Sequence, residues 1–316
     1  MAKIKLKKPN LKVKKPTKAG IKKTVKSTKF LAGLLVVMAL GGFGYSGYYW
    51  WNNSFMDKDE IFYGMLDKSL NTSSVLRTID QTDSGRTEKQ SVYLRYAPGI
   101  VFNSVSNLQQ VDQNRNLSKV STESFANKNG DFIRYTDISI ANTSNDQADY
   151  TKLLNTWAKR SDNTNKGSQF LNEAAFTFVP FGNFSSEKRA ELVNKLKDKK
   201  VYQLNGEKIS YENGRPIYTA FASISPRGFV DVMRDYARAT GVGDVQQLDP
   251  EQYDPKNSFT IQIKIDVISR HLKQIEYPGG ERTEKYEAYG LFRNIEEPTS
   301  YISTEELQDR LQQTNQ

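Results

Sequence analysis

The chain of 316 residues has no cysteine and one histidine, His271. Without cysteine there is no disulfide framework, no thiolate metal site and no thiol nucleophile. With one histidine, any His-pair metal site or Ser-His-Asp triad must pass through His271. The P-loop, G-x-S-x-G and H-E-x-x-H patterns are missing too. Acidic residues are absent from residues 1–29, and charge of either sign is absent from residues 30–56.

These local absences explain the formal charge of +9. Residues 1–29 hold twelve lysines, so the remaining 33 basic and 36 acidic residues give a net of −3. The basic character belongs to a tail, and the rest is mildly acidic. The tail carries Pro9 and Pro16 and no aromatics, and it buries too little apolar area to offset its ordering entropy. A lysine-rich arm suits either nucleic-acid phosphates or the cytoplasmic flank of a membrane segment.

The next stretch favours the membrane. Residues 30–51, FLAGLLVVMALGGFGYSGYYWW, are uncharged and as long as the roughly 20 residues a bilayer-spanning helix needs. Phe30, Leu34, Leu35, Val36 and Met38 supply its apolar body. Trp50 and Trp51, with Tyr45, Tyr48 and Tyr49, match an interfacial aromatic belt. Lys22, Lys23, Lys26 and Lys29 set the topology, with the N-terminus cytoplasmic. The expected organisation is a disordered tail (1–29), a transmembrane helix (30–51), a linker (52–56) and an extracytoplasmic domain (57–316). The alternative is a cleaved signal peptide, with residues 31–40 as its apolar core and Ala39-Leu40-Gly41 as the cleavage site. The long basic region and the aromatic cluster favour a retained anchor in the cell membrane. A nucleic-acid partner is disfavoured, because the basic arm lies inside the cell.

Residues 57–71 read as an amphipathic helix, with Ile61, Phe62, Met65, Leu66 and Leu70 on one face. A period of two then marks strands at 74–81, 90–96, 100–108, 118–126 and 131–140. The clearest strand is 259–267, where Phe259, Ile261, Ile263, Ile265 and Val267 alternate with polar residues. Strands at 217–224, 272–277 and 283–291 complete the set. Asn129-Gly130, Asn205-Gly206, Asn213-Gly214 and Pro278-Gly279-Gly280 read as turns. Helices are expected at 149–160, at 185–199, after the Ser225-Pro226 cap up to Gly241, and after Ser303. The fold class is α+β: an antiparallel, half-barrel-like sheet covered by helices.

The order of these elements has a parallel. An amphipathic helix ending in KSLNTSS leads to VLRTIDQ and SVYLRY; later come FTIQIKIDVISRHLKQIEY and EKYEAYGLFRNIEEP. This resembles the LolA/LppX-like superfamily of bacterial envelope proteins. The resemblance implies an incomplete barrel closed by helices around a cavity for lipid or acyl chains. With no cysteine to carry a lipid, attachment falls to residues 30–51. Phe102, Phe132, Phe221, Phe259, Ile261, Ile263 and Ile265 are the candidates to line the cavity; the alternative is a packed core.

Little points to catalysis. Ser185-Ser186-Glu187-Lys188 fits S-x-x-K and Ser161-Asp162-Asn163 fits S-D-N, but their order is reversed and K-T-G is absent. Ser185 is also a good helix cap. His271, with Asp266 and Glu276 nearby, reads as an ordinary polar residue at a strand junction. The expectation is a non-enzymatic domain with no cofactor and no metal. It binds a lipid or other apolar ligand, or instead serves as a packed interaction domain for another envelope protein.

Overall fold

Turn chemistry at Ser84-Gly85 starts the sheet. Both residues take positive φ, 33° and 88°. They reverse the chain between β1 (Ser74–Asp83) and β2 (Arg86–Arg95). The computed structural model describes residues 55–112, 116–140, 149–160, 168–175, 177–242 and 249–314. The lysine tail and the apolar segment 30–51 lie outside them. Among the described residues no helix is long and apolar enough to cross a membrane. The chain divides into two units, Met1–Asp57 and Lys58–Gln316, and every element below belongs to the second.

Strands β3 (Val101–Val111), β4 (Leu117–Asn127) and β5 (Gly130–Ser139) extend a meander from β1 and β2. A short strand, β6 (Ala158–Lys159), follows. A second meander is built from β7 (Tyr202–Glu212), β8 (Arg215–Ile224), β9 (Phe259–Asp266), β10 (His271–Glu276) and β11 (Arg282–Glu287). The last strand is β12 (Ile302–Ser303). One open sheet results, in the order β12-β6-β5-β4-β3-β2-β1-β11-β10-β9-β8-β7. Among the strands of the described residues only the β12–β6 pair is parallel, and an isolated bridge between Tyr135 and Leu154 is parallel too. The two meanders meet where β1 pairs β11, with Leu76 opposite Glu287 and Arg77 opposite Tyr286.

Among the described residues five α-helices accompany the sheet: α1 (Lys58–Leu70), α2 (Gln169–Ala175), α3 (Ser186–Asp198), α4 (Pro226–Thr240) and α5 (Thr304–Thr314). Helix α1 packs on β9, β10 and α3, burying Ile61, Phe62, Met65, Leu66 and Leu70 to 1 % exposure or less. Helix α2 packs on β3 and β4. Its first turn is capped by Asp131, which accepts from the N–H groups of Gln169 (2.8 Å) and Phe170 (3.3 Å). Ser225 caps α4 by accepting from Gly228 N–H, and Gly241 ends it at φ 70°.

The structure departs from the sequence reading at four places. Residues 149–160 form turns and β6. The Asp149 carboxylate captures the Thr151 N–H and hydroxyl (3.0 and 2.6 Å), a local bond that competes with a helical start. The apolar spacing there is still used, since Tyr150 and Leu153 are buried with Ala158 and Leu307. Asn205-Gly206 is an irregularity inside β7, where pairing with β8 shifts between Asn205 and Lys208. Gly206 sits at φ 62°, and an added Cβ there would lie 2.8 Å from the Phe221 ring. Strand β11 stops at Glu287, because Ala288 and Gly290 turn at φ 54° and 71°. Helix α2 is too short to show a helical period.

Leu66→Ala should destabilise the chain by about 2–5 kcal/mol through the cavity it leaves. Tyr211→Ala, at an exposed position, should change stability by less than about 0.5 kcal/mol. The two denaturation midpoints, measured on the purified chain, make the comparison; equal shifts would contradict the packing described.

Candidate functional site

Strand register assigns each side chain to one of two faces. On the helix-covered face a single row crosses eight strands: Ala220, Ile263, Ile275, Glu284, Ile79, Gln90, Ser106 and Thr122. The row is apolar over β8–β10 and polar over β2–β4, and Glu284 stands near the change. The next row carries Tyr286, Arg77, Val92, Ser104 and Ser124.

The segment between α2 and α3 runs along this face. Gly182 N–H donates to Ser69 C=O (3.0 Å), and Thr72 N–H donates to Gly182 C=O (2.6 Å). Its side chains enter the core: Val179 and Phe181 are 1 % exposed, and Phe181 stacks on Tyr286 at 5.3 Å. The Tyr236 hydroxyl of α4 donates to Phe181 C=O (2.5 Å), and the Tyr202 hydroxyl donates to Phe178 C=O (2.6 Å). Phe178 also meets Phe259, with ring centroids 4.4 Å apart.

A buried charged cluster lies beside that segment. The Glu284 side chain is 1 % exposed. One of its oxygens accepts from Tyr277 Oη (2.8 Å) and from Arg282 Nε and Nη2 (3.0 and 2.6 Å). Its other oxygen accepts from Tyr286 Oη (2.5 Å) and lies 3.9 Å from Arg77 Nη1. The Arg77 side chain is 7 % exposed, and its Nε is buried with no acceptor among the described residues. Burial alone would raise the Glu284 carboxyl. The Arg77 charge, the Tyr286 hydroxyl, Arg282 and the Tyr277 hydroxyl outweigh it, so the carboxyl titrates below its ordinary value. The Tyr286 phenol is pushed up, first by burial and then by the Glu284 charge, and stays protonated as a donor.

The proposed cavity residues divide between the two faces. Ile261, Ile263 and Ile265 line the helix face and are 0–1 % exposed beneath α1. Phe102 lies on the same face and stacks on Phe170 of α2 at 5.8 Å. Phe259 sits at the start of β9 against Phe178. Phe132 and Phe221 point the other way. Phe221 is opposite Gln262 and 44 % exposed. Phe132 is opposite Phe125, in a small outer core with Val101, Trp157 and Ile295. Alternation decides this outcome: Phe221 and Phe132 sit next to the inward-facing Ala222 and Asp131. Sequence reasoning missed Arg77 and Glu284, although each occupies an inward position of an alternating strand.

His271 stands opposite Asp266 in the β9–β10 hairpin and stacks on Tyr289 at 4.0 Å and 8°. Burial first, and then the Lys68 charge, lower its pKa despite Asp266, so the ring is neutral at pH 7. Asp266 is held by Arg215 Nε (2.6 Å) and Ser269 N–H (2.9 Å). Burial opposes ionisation there, and the Arg215 and Ser269 bonds lower its pKa to about 2.

No family model matches the chain, and a comparison with curated proteins finds no match. Among solved structures it is similar to a beta-barrel-like protein of the domain of unknown function DUF1849 from Brucella abortus. The identity is 11 %, over 71 % of this chain and 99 % of that one, with a TM-score of 0.24.

Glu284→Gln should cost about 3–5 kcal/mol, since it leaves Arg77 buried without its counter-charge. The folded-state pKa of Glu284 is depressed. Its contribution is therefore present above the unfolded value near pH 4.3 and lost as pH falls through the folded value. Below pH ~4 the difference between wild type and Glu284→Gln should shrink. Unfolding followed at several pH values checks this; a pH-independent difference would refute it.

Proposed function

We propose that this chain is a membrane-anchored, non-catalytic envelope protein. Its extracytoplasmic domain binds, or passes on, a lipid or other apolar ligand between the sheet and its helices, as in an incomplete barrel. The observation that carries the reading is Arg77. Its buried guanidinium, with one N–H unengaged among the described residues, shares β1 with Ile79, and only β11 separates that strand from Ile275 of β10 and Ile263 beyond it on β9. Ligand sites commonly combine an apolar lining with one or two placed polar groups. An acyl chain with an acidic head matches both parts. The resemblance in element order to the LolA/LppX-like superfamily points the same way. Anchoring and orientation rest on residues 30–51 and the flanking lysines.

A second reading is favoured by the packing. Helix α1 packs on β9, and its apolar face and the β9 residues Ile261 and Ile263 are all exposed to 1 % or less. A filled interior fits a domain that engages another envelope protein through its surface.

Photo-crosslinking separates the two. The full chain in liposomes containing a diazirine fatty acid should yield adducts on the β9 or β1 peptides, and Arg77→Gln should reduce them severalfold. Adducts confined to residues 30–51 would defeat the ligand reading and leave the interaction reading. The absence of cysteine gives a direct topology test. An impermeant maleimide on intact cells should label Tyr211→Cys and not Lys3→Cys. The reverse pattern, or a mature chain starting near residue 42, would overturn the anchor.

A further inference from the structure

The outer face carries a groove that the ligand reading does not use. It has a volume of about 480 Å³ and lies between residues 155–157 and 296–302. The parallel β6–β12 pair joins its walls: Ile302 lies opposite Ala158, and Ile302 N–H donates to Trp157 C=O (2.9 Å). The preceding residues, Trp157 and Tyr301, are therefore neighbours on one face of that pair, and both line the groove. Asn155, Thr156, Glu296 and Glu297 add amide, hydroxyl and carboxylate groups around them.

The walls are held before any ligand arrives. Trp157 packs against the buried Val101, Phe125 and Phe132. The Arg134 guanidinium lies 4.6 Å from the centroid of its ring, and Glu123 fixes that arginine through its Nε (2.9 Å). Tyr301 stands edge-on to Phe132 at 5.3 Å and 71°, yet remains 48 % exposed. Glu297 Oε2 accepts from the side-chain amides of Asn127 (2.7 Å) and Asn129 (2.8 Å), in and beside the β4–β5 turn. Among the described residues its Oε1 has no donor, which leaves one carboxylate oxygen of a fixed side chain to accept from a ligand.

The chemistry narrows the ligand. Glu296 and Glu297 disfavour an anion. The chain's own cations already lie by these rings: Arg134 lies over one side of Trp157, and Lys159 lies 5.5 and 5.6 Å from the Phe132 and Tyr301 centroids. A cationic ligand would meet these charges at close range, and the quadrupole that attracts cations is already engaged. An uncharged molecule with an apolar C–H face and a rim of hydroxyls fits what is left. Its C–H face meets the parts of Trp157 and Tyr301 that line the groove, and its hydroxyls donate to the carboxylates and pair with the amide and hydroxyl groups. A pyranose ring has this shape.

We propose that the groove between Trp157 and Tyr301 binds a neutral pyranose unit of a glycan. The proposal does not depend on the apolar-ligand reading.

The test uses the full chain in lipid nanodiscs, free of sugar-headed detergent. The chain has three tryptophans, so Trp50→Phe and Trp51→Phe leave Trp157 as the sole reporter. Titration with N,N′-diacetylchitobiose and with cellobiose should give a saturable change in Trp157 emission for at least one of them. A Kd of about 0.1–10 mM is expected, typical of small open sites. Glu296→Ala and Tyr301→Ala should each weaken binding about tenfold. Tyr211→Ala, on β7 at the opposite edge of the sheet, should leave it unchanged. Circular dichroism controls for folding. If Tyr301→Ala misfolds, Glu296→Ala, at an exposed position, decides. The proposal fails if neither disaccharide gives a saturable response at about 50 mM, or if the response survives both substitutions. It also fails if choline or glucuronate binds more tightly than either neutral sugar.

Discussion

The domain hangs on one joint, the antiparallel pairing of β1 with β11. Leu76 lies opposite Glu287 and Gln81 opposite Arg282, so about 200 residues of chain must close before this ladder forms. Either meander assembles largely from hairpins: β1–β2, β2–β3, β3–β4 and β4–β5 on one side, β7–β8 and β9–β10–β11 on the other. Neither half has a complete helix face alone. Helix α1 precedes β1 in the chain but packs on β9 and β10, so it covers the other meander. Long-range closure of this kind slows folding.

The Arg77–Glu284 pair sits at that joint, which suggests what a buried charge contributes there. Apolar residues of similar volume would serve stability about as well. Register is different. A slip of β1 by one residue along β11 would carry Arg77 to the outer face, away from Glu284, Tyr277 and Tyr286. The neighbouring position, Thr78, would then enter the core in its place. An isoleucine-to-isoleucine pairing tolerates several alignments; a carboxylate with four specific hydrogen-bond donors and one buried counter-charge tolerates one. The cluster therefore distinguishes the native closure from near neighbours. The same residues that give the helix face its polar spot fix how the two meanders meet.

Much of this was legible in the sequence, and the misses share a cause. The alternation from Phe259 to Val267 gave β9 and its inward isoleucines directly, because a half-buried strand writes its geometry at a period of two. Ser225-Pro226 and Gly241 bracketed α4, because caps are local chemistry. Phe221 and Phe132 were grouped with the inward residues by character. Their parity, set by Ala222 and Asp131, puts them outside. Residues 149–160 carried an apolar spacing that a helix would use. The Asp149–Thr151 bonds and the positive φ of Asn155 (59°) made turns of it, and pairing with β5 recruited Ala158 and Lys159. The β1–β11 closure, and with it the Arg77–Glu284 pair, has no local signature: each residue reads as an ordinary charge in a strand until its partner is known.

The outer groove follows from the same closure. After β11 the chain turns at Ala288 and Gly290 and crosses the back of the first meander. Its path is fixed by residues of β1 and β2: the Ser74 and Tyr93 hydroxyls both donate to Leu291 C=O (2.8 and 2.9 Å), and Tyr93 Oη accepts from Arg293 N–H (3.1 Å). Ile295 then enters the outer core, Glu297 reaches Asn127 and Asn129, and Ile302 pairs beside Ala158. A different β11 register would shift the start of this crossing and misplace Tyr301 relative to Trp157. The buried cluster and the groove lie on opposite faces and suit different chemistries. They are still coupled in origin, because one strand pairing positions Glu284 on one side and directs the chain towards Tyr301 on the other.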